Sequence, residues 1–238
     1  MDPDKPRVKR LSCLEGARKA KGFTVIIDVF RAFSCAPLFF YLGAKKVILE
    51  SDPEKARTLK SEIPGSILVG EVNEVPIEGG DMGNSPSSAL RKGRAFFQGK
   101  TVIHRTTAGV VGVHEAARHC KTIVLGSFVM SRAIARYILR SGAQEVSLVA
   151  MGTRGMAPSP EDEACAEYIE HLIIGTPYDH VGAMERIMFH ESTKKFIMGT
   201  KPYLPREDPI FCLRRDVFDF VIIAEEKGGL LEAKVEPS

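Results

Sequence analysis

Short, β-branched and almost continuously apolar runs recur along the chain at 24–28, 46–50, 66–70, 101–104, 122–125 and 145–150. Each is followed by a polar or glycine-containing loop. Apolar residues then return with helical spacing at 33–42, 53–61, 110–119, 131–141 and 159–172. Strands that are apolar throughout belong to sheets covered by helices on both faces. The alternation therefore predicts an α/β fold, a three-layer α/β/α arrangement around a largely parallel or mixed sheet. Gly43, Gly142 and Gly175 stand where helices should end, because a helix C-cap takes a left-handed conformation that glycine adopts at little cost.

The pattern loosens in the C-terminal part. Pro177, Pro202, Pro205 and Pro209 interrupt it before the apolar run 218–224, which is expected to add an edge strand or a packing extension. At 238 residues the chain is read as a single α/β domain or as two closely packed lobes, preceded by a basic, solvated arm over 1–10. No fixed-period repeat appears.

Composition changes this only by exclusion. With 44% apolar and 26% charged residues the chain is an ordinary globular one. Lys and Arg number 33 against 30 Asp and Glu, and they are scattered, so nucleic-acid binding is not expected. Cys13, Cys35, Cys120, Cys165 and Cys212 form no C-x-x-C pair, which predicts a reduced, cytoplasmic protein without structural zinc. Apolar runs such as 36–42 are too short to span a membrane. The histidines lack metal-ligand spacing, and P-loop, nucleophile-elbow and dinucleotide fingerprints are missing.

Chemistry is expected in the loops that follow the strands, where α/β sheets bind ligands. Glu78-Gly-Gly-Asp-Met-Gly-Asn-Ser-Pro86 gathers glycines and polar groups ahead of a helix start, which reads either as an anion cradle or as a polar cap. Asp28 and Arg31 put a carboxylate and a guanidinium at one strand end, suiting either a metal-assisted phosphate site or an ion pair that pins the loop. Arg105-Thr-Thr-Ala-Gly109 supplies hydroxyls before a helix, and Gly152-Thr153 makes a comparable turn. Ser159-Pro-Glu-Asp162 has the form of a capping box, and Cys165 falls on a buried helix face.

Taken together these segments resemble the 2-phosphosulfolactate phosphatases. The resemblance rests on Val25-Ile-Ile-Asp-Val-Phe-Arg-Ala32, Gly70-Glu71, Gly80-Asp-Met-Gly-Asn-Ser-Pro86, Thr101-Val-Ile-His-Arg-Thr-Thr-Ala-Gly109, Gly126-Ser-Phe128, Gly152-Thr153 and Glu161-Asp162 with Cys165. It implies a magnesium-dependent phosphoric monoester hydrolase that acts on a small anionic phosphoester, on the route to coenzyme M. It further implies Asp28, Asp81 and Asp162 as magnesium ligands, and Asp28, Arg31, Glu71, Asp81 and Glu161 as the catalytic set. Asn84, Ser85, Arg105, Thr106, Thr107, Gly109 and Thr153 would bind substrate or phosphate. A homodimer is left open.

The chain departs from the expected family pattern at Arg105, Ala108, Val110 and Met130, where small hydroxyl or amide residues are anticipated. Such exchanges alter the hydrogen-bond inventory of a pocket and so bear on its substrate. They also motivate an alternative, a non-catalytic protein that binds an anionic metabolite.

Overall fold

The computed structural model describes residues 5–238. Its elements run β1 (Arg7–Ser12), α1 (Cys13–Lys19), β2 (Phe23–Ile27), α2 (Ala32–Tyr41), β3 (Lys46–Leu49), α3 (Pro53–Glu62), β4 (Ile67–Val72), β5 (Val75–Pro76), α4 (Pro86–Phe97) and β6 (Thr101–Arg105). They continue with α5 (Gly109–Ala117), β7 (Thr122–Gly126), α6 (Ser131–Ser141), β8 (Glu145–Ala150), α7 (Pro160–Ile174), α8 (His180–Met188), α9 (Glu191–Ile197), α10 (Asp208–Cys212), β9 (Phe220–Lys227) and β10 (Leu230–Pro237). The six predicted runs become β2, β3, β4, β6, β7 and β8, and the five helical stretches become α2, α3, α5, α6 and α7.

One ten-stranded mixed sheet results, in the order β1-β8-β2-β7-β9-β10-β3-β6-β4-β5. β1, β8, β2 and β7 are mutually parallel, as are β3, β6 and β4. Between these blocks stands the antiparallel β9–β10 hairpin, which pairs Ile223 with Val124 of β7 and Leu231 with Leu49 of β3.

Two expectations are corrected here. The C-terminal run is no edge strand but part of the hairpin at the centre of the sheet. The exposed Glu225, Glu226 and Lys227 are accommodated there because they lie at the turn end of the hairpin and reach solvent. At the other end, the expected arm over 1–10 is not free from Arg7 onward, and its residues 1–4 lie outside the described residues. β1 pairs in parallel with β8 from Arg7–Glu145 to Ser12–Ala150, keeping several side chains exposed while its backbone is bonded.

α2 explains how the blocks cohere. Every residue from Ala32 to Phe39 is buried, as expected of a helix apolar on all sides. The Phe39 ring stacks on Phe97 of α4 at 5.6 Å and meets the His104 ring of β6 edge-on at 5.2 Å. Full burial of a side chain such as Phe33 or Phe39 contributes about 1.5–3 kcal/mol. Pro37 lies inside this helix and cannot donate to the Phe33 carbonyl. The Ser127 hydroxyl beyond β7 donates to that carbonyl instead, at 2.9 Å.

Among the described residues no helix is long and apolar enough to cross a membrane.

Candidate active site

The loops after β2, β4, β6 and β8 meet in one pocket lined by Asp28, Arg31, Glu71, Asn84, Thr106, Thr107, Ala108, Thr153, Glu161 and Asp162. Local backbone chemistry fixes its two innermost carboxylates. Asp28 accepts from Ala32 N–H at 3.2 Å and from Gly109 N–H at 2.9 Å. It thereby joins the start of α2 to the start of α5, placing negative charge at two positive helix ends. Gly109 is required for that approach, since a Cβ there would sit 2.7 Å from Asp28 Oδ2 and 2.9 Å from Phe33 Cζ.

Asp162 accepts from Val29 N–H and from Gly152 N–H, each at 2.7 Å. This overturns the capping-box reading. The Asp162 carboxylate faces the β2 and β8 loops, and the buried Ser159 hydroxyl caps nothing. Beside it, Glu161 Oε2 accepts from Ser192 Oγ at 2.7 Å, with Ser192 on α9.

Burial raises the Asp28 carboxyl to about 6, with the charges of Glu71 and Glu161 adding to the effect while backbone donors oppose it. Burial likewise drives Asp162 well above the ordinary carboxylate range, reinforced by Glu161 and Asp28. The pocket's two ion pairs, Arg31–Asp208 and Lys195–Glu74, leave Asp28, Glu161 and Asp162 without a cationic side-chain partner among the described residues.

The opposite wall carries donors. Arg31 donates from Nη1 to Asp208 Oδ2 at 2.8 Å and to the Tyr203 carbonyl at 3.0 Å, and its guanidinium lies over Phe196. Thr106 Oγ1 accepts from Val110 N–H at 2.8 Å, so its own hydrogen is available to the pocket. Asn84 Oδ1 lies 2.9 Å from His104 Nε2, an arrangement that makes Nε2 the donor and leaves Nδ1 bare and unpartnered.

Burial holds the His104 imidazole down, to about 3. Because the unfolded chain takes up that proton near pH 6.5, this residue's contribution to stability is present above that pH and lost as pH falls toward 3. Relative to His104→Gln, wild-type stability in urea melts is therefore expected to fall below pH 6.5 with a limiting slope of about 1.4 kcal/mol per pH unit. Asp28 and Asp162 titrate with the opposite sign but are common to both proteins. Parallel stability curves for the two would refute the assignment.

Several expected site residues lie elsewhere. Asp81 is outside the pocket, where its Oδ2 accepts from Leu68 N–H at 2.8 Å and Lys60 Nζ at 2.6 Å and ties the glycine-rich segment to β4. Ser85 caps α4, accepting from Ser88 N–H at 3.1 Å and donating to Asp208 Oδ1 at 3.0 Å. The anion at that helix start is Asp208 of the chain itself, which also accepts from Ser87 N–H at 3.0 Å. Arg105 braces the loop through the Glu71 and Ser51 carbonyls and does not line the pocket. Thr107 lines it with its hydroxyl already spent, donating to Glu71 at 2.9 Å and accepting from Asn73 N–H and Arg105. Gly109 serves through its bond to Asp28.

Of the departures from the family pattern only Ala108 faces the pocket. Val110 and Met130 are fully buried in the core. Sequence reasoning missed Phe30, Glu74, Arg154, Lys195, Phe196 and Leu204 on the walls, and Asp208 behind them. The last four come from segments interrupted by prolines or polar residues, where no periodic signal marks them.

The family model described as 2-phosphosulpholactate phosphatase matches residues 12–227. A probable 2-phosphosulfolactate phosphatase of Bacillus subtilis is 31% identical over 207 residues, covering 86% of this chain and 87% of the relative. One of Clostridium perfringens (strain 13) is 38% identical over 220 residues, 86% of each chain. Another, of Caldicellulosiruptor saccharolyticus, is 33% identical over 216 residues, 84% of this chain and 87% of the relative.

Proposed function

The chain belongs to the 2-phosphosulpholactate phosphatase family, and from that premise we propose that its pocket hydrolyses 2-phosphosulfolactate to sulfolactate and phosphate with magnesium as cofactor. It is a phosphoric monoester hydrolase. The observation that carries the magnesium assignment is a set of three buried carboxylates, Asp28, Glu161 and Asp162, that face a wall of hydroxyl, amide and guanidinium donors and form no ion pair among the described residues. Binding an anion there without a further positive charge would be repulsive.

The donor set fits a hard cation, since every free ligand atom is an oxygen. Among the described residues no three Asp, Glu, His or Cys side chains form a ready-made metal cluster. Magnesium does not ask for one, because it binds through one or two carboxylates and fills its shell with water and phosphate oxygens. Asp28 and Asp162 are the proposed ligands, with both carboxylates held by backbone donors that leave a lone pair on each oxygen. The bound ion would neutralise charge on the phosphoryl oxygens.

The remaining roles follow from which side chains are free. Arg31, held flat by Asp208 and Tyr203, retains N–H donors for phosphoryl oxygens whose charge spreads in the transition state. Thr106 donates its hydroxyl hydrogen, and Asn84, oriented by His104, presents its amide. Glu71 is occupied by Thr107 and Glu74, whereas Glu161 keeps Oε1 unbonded. Glu161 Oε1 is therefore the position proposed to pass a proton to the leaving oxygen.

A phosphate-release screen over small phosphoesters, 2-phosphosulfolactate and 2-phospholactate included, tests this reading with magnesium and with EDTA. The expected result is turnover of 2-phosphosulfolactate that EDTA abolishes and added magnesium restores. Turnover unaffected by EDTA would remove the metal assignment, and release from no ester would overturn the activity.

A further inference from the structure

The pocket mouth holds an ion pair that hydrolysis leaves without a task. Lys195 of α9 donates to Glu74 Oε1 at 2.5 Å, and both residues line the pocket. The pair joins α9 to the turn between β4 and β5, and each side chain keeps 25% of its surface exposed. The turn delivers that carboxylate at some cost. Asn73 and Glu74 have φ of 51° and 75°, a left-handed conformation that non-glycine residues seldom adopt.

Burial pushes the Glu74 carboxyl up, but the hydrogen bond and charge of Lys195, with Lys201 and Arg154 beyond it, outweigh this and hold it below its ordinary value. Arg154 also lines the pocket and makes no ion pair with the described residues. The inner pocket is thus acidic while its rim is cationic, and Glu74 is a carboxylate of the chain itself set at that rim.

We propose that Lys195, with Arg154, is the subsite for a second anionic group on the phosphoester, and that Glu74 occupies this subsite until the substrate displaces it. The inference rests on the phosphatase reading and makes Lys195 a specificity determinant. Sulfonate and carboxylate share the required chemistry, a compact oxyanion that accepts from an ammonium and a guanidinium. An ester without such a group would gain nothing from the rim and would meet Glu74 unchanged.

Phosphate release from 2-phosphosulfolactate, 2-phospholactate and isopropyl phosphate separates the sources, because the second lacks the sulfonate and the third lacks both anions. For 2-phosphosulfolactate, Lys195→Met is expected to raise KM about tenfold with kcat within about twofold, the loss of one charge-assisted contact. Lys195→Arg keeps the charge and should stay within about threefold of wild type. Glu74→Gln removes the competing charge and should lower KM about threefold. Isopropyl phosphate should respond to none of these changes.

A KM increase for the sulfonated ester alone assigns the subsite to sulfonate, and an increase for both anionic esters assigns it to carboxylate. Equal changes in all three esters, or none, overturn the inference. Calorimetric titration of 3-sulfolactate in the presence of magnesium reads the same subsite without turnover. If wild type releases no phosphate, the hydrolase reading falls, yet weaker sulfolactate binding to Lys195→Met than to wild type still supports the subsite and equal binding overturns it. Unchanged melting temperatures confirm that the variants are folded.

Discussion

Asp28→Asn is expected to lower kcat/KM for 2-phosphosulfolactate by about 10³-fold and to weaken magnesium binding at pH 7.5 by tenfold or more, with the fold retained. The carboxylate stands between two helix starts and bonds the N–H groups of Ala32 and Gly109. An amide of the same shape keeps one of those bonds and turns a donor toward the other, at a cost of about 1–3 kcal/mol. Against this, the substitution removes a buried charge that Glu71 and Glu161 repel and whose carboxyl sits at about 6. The two effects on stability oppose each other, so the loss should appear in catalysis and metal affinity rather than in melting temperature. Retention of more than a tenth of the activity would remove Asp28 from the proposed ligand set.

Asp208→Ala should do the reverse and appear first in stability, by about 3–5 kcal/mol, because it breaks a buried ion pair by deleting one partner. Asp208 is completely buried and accepts from Arg31, Ser85 and Ser87 together. Its loss leaves the Arg31 guanidinium charged and largely dry, and it strips the anion from the start of α4. In a chain of this size the melting temperature should fall by about 10 °C, with Asp208→Asn intermediate. KM should rise as well, since Arg31 loses the contact that holds it flat over Phe196. A shift below about 2 °C would show that solvent or another acceptor compensates Arg31.

These two residues differ in how visible they were beforehand. Asp28 closes an apolar run and precedes a helical one, so its position at a strand end could be read directly. Asp208 lies in a proline-broken segment with no periodicity, and only the folded chain brings it to Arg31, 177 residues away. Asp81 shows the converse. The family resemblance implied a metal-facing carboxylate there, whereas the loop it occupies docks on β4 and turns that carboxylate toward Lys60 and Leu68. Lys195 and Glu74 meet from two segments of which neither carried a signal.

By itself the sequence determined the alternation of strands and helices and the placement of Asp28, Glu71, Thr106 and Glu161-Asp162 at strand ends or helix starts. These depend on apolar spacing and backbone preferences that act over a few residues. Tertiary structure alone decided that β9 and β10 fill the centre of the sheet, that Asp208 instead of a ligand supplies the anion at the start of α4, and that a cationic rim faces an acidic floor. Those outcomes depend on which buried charges and unpaired backbone groups find partners across the fold, and such pairings are fixed only when the whole core closes.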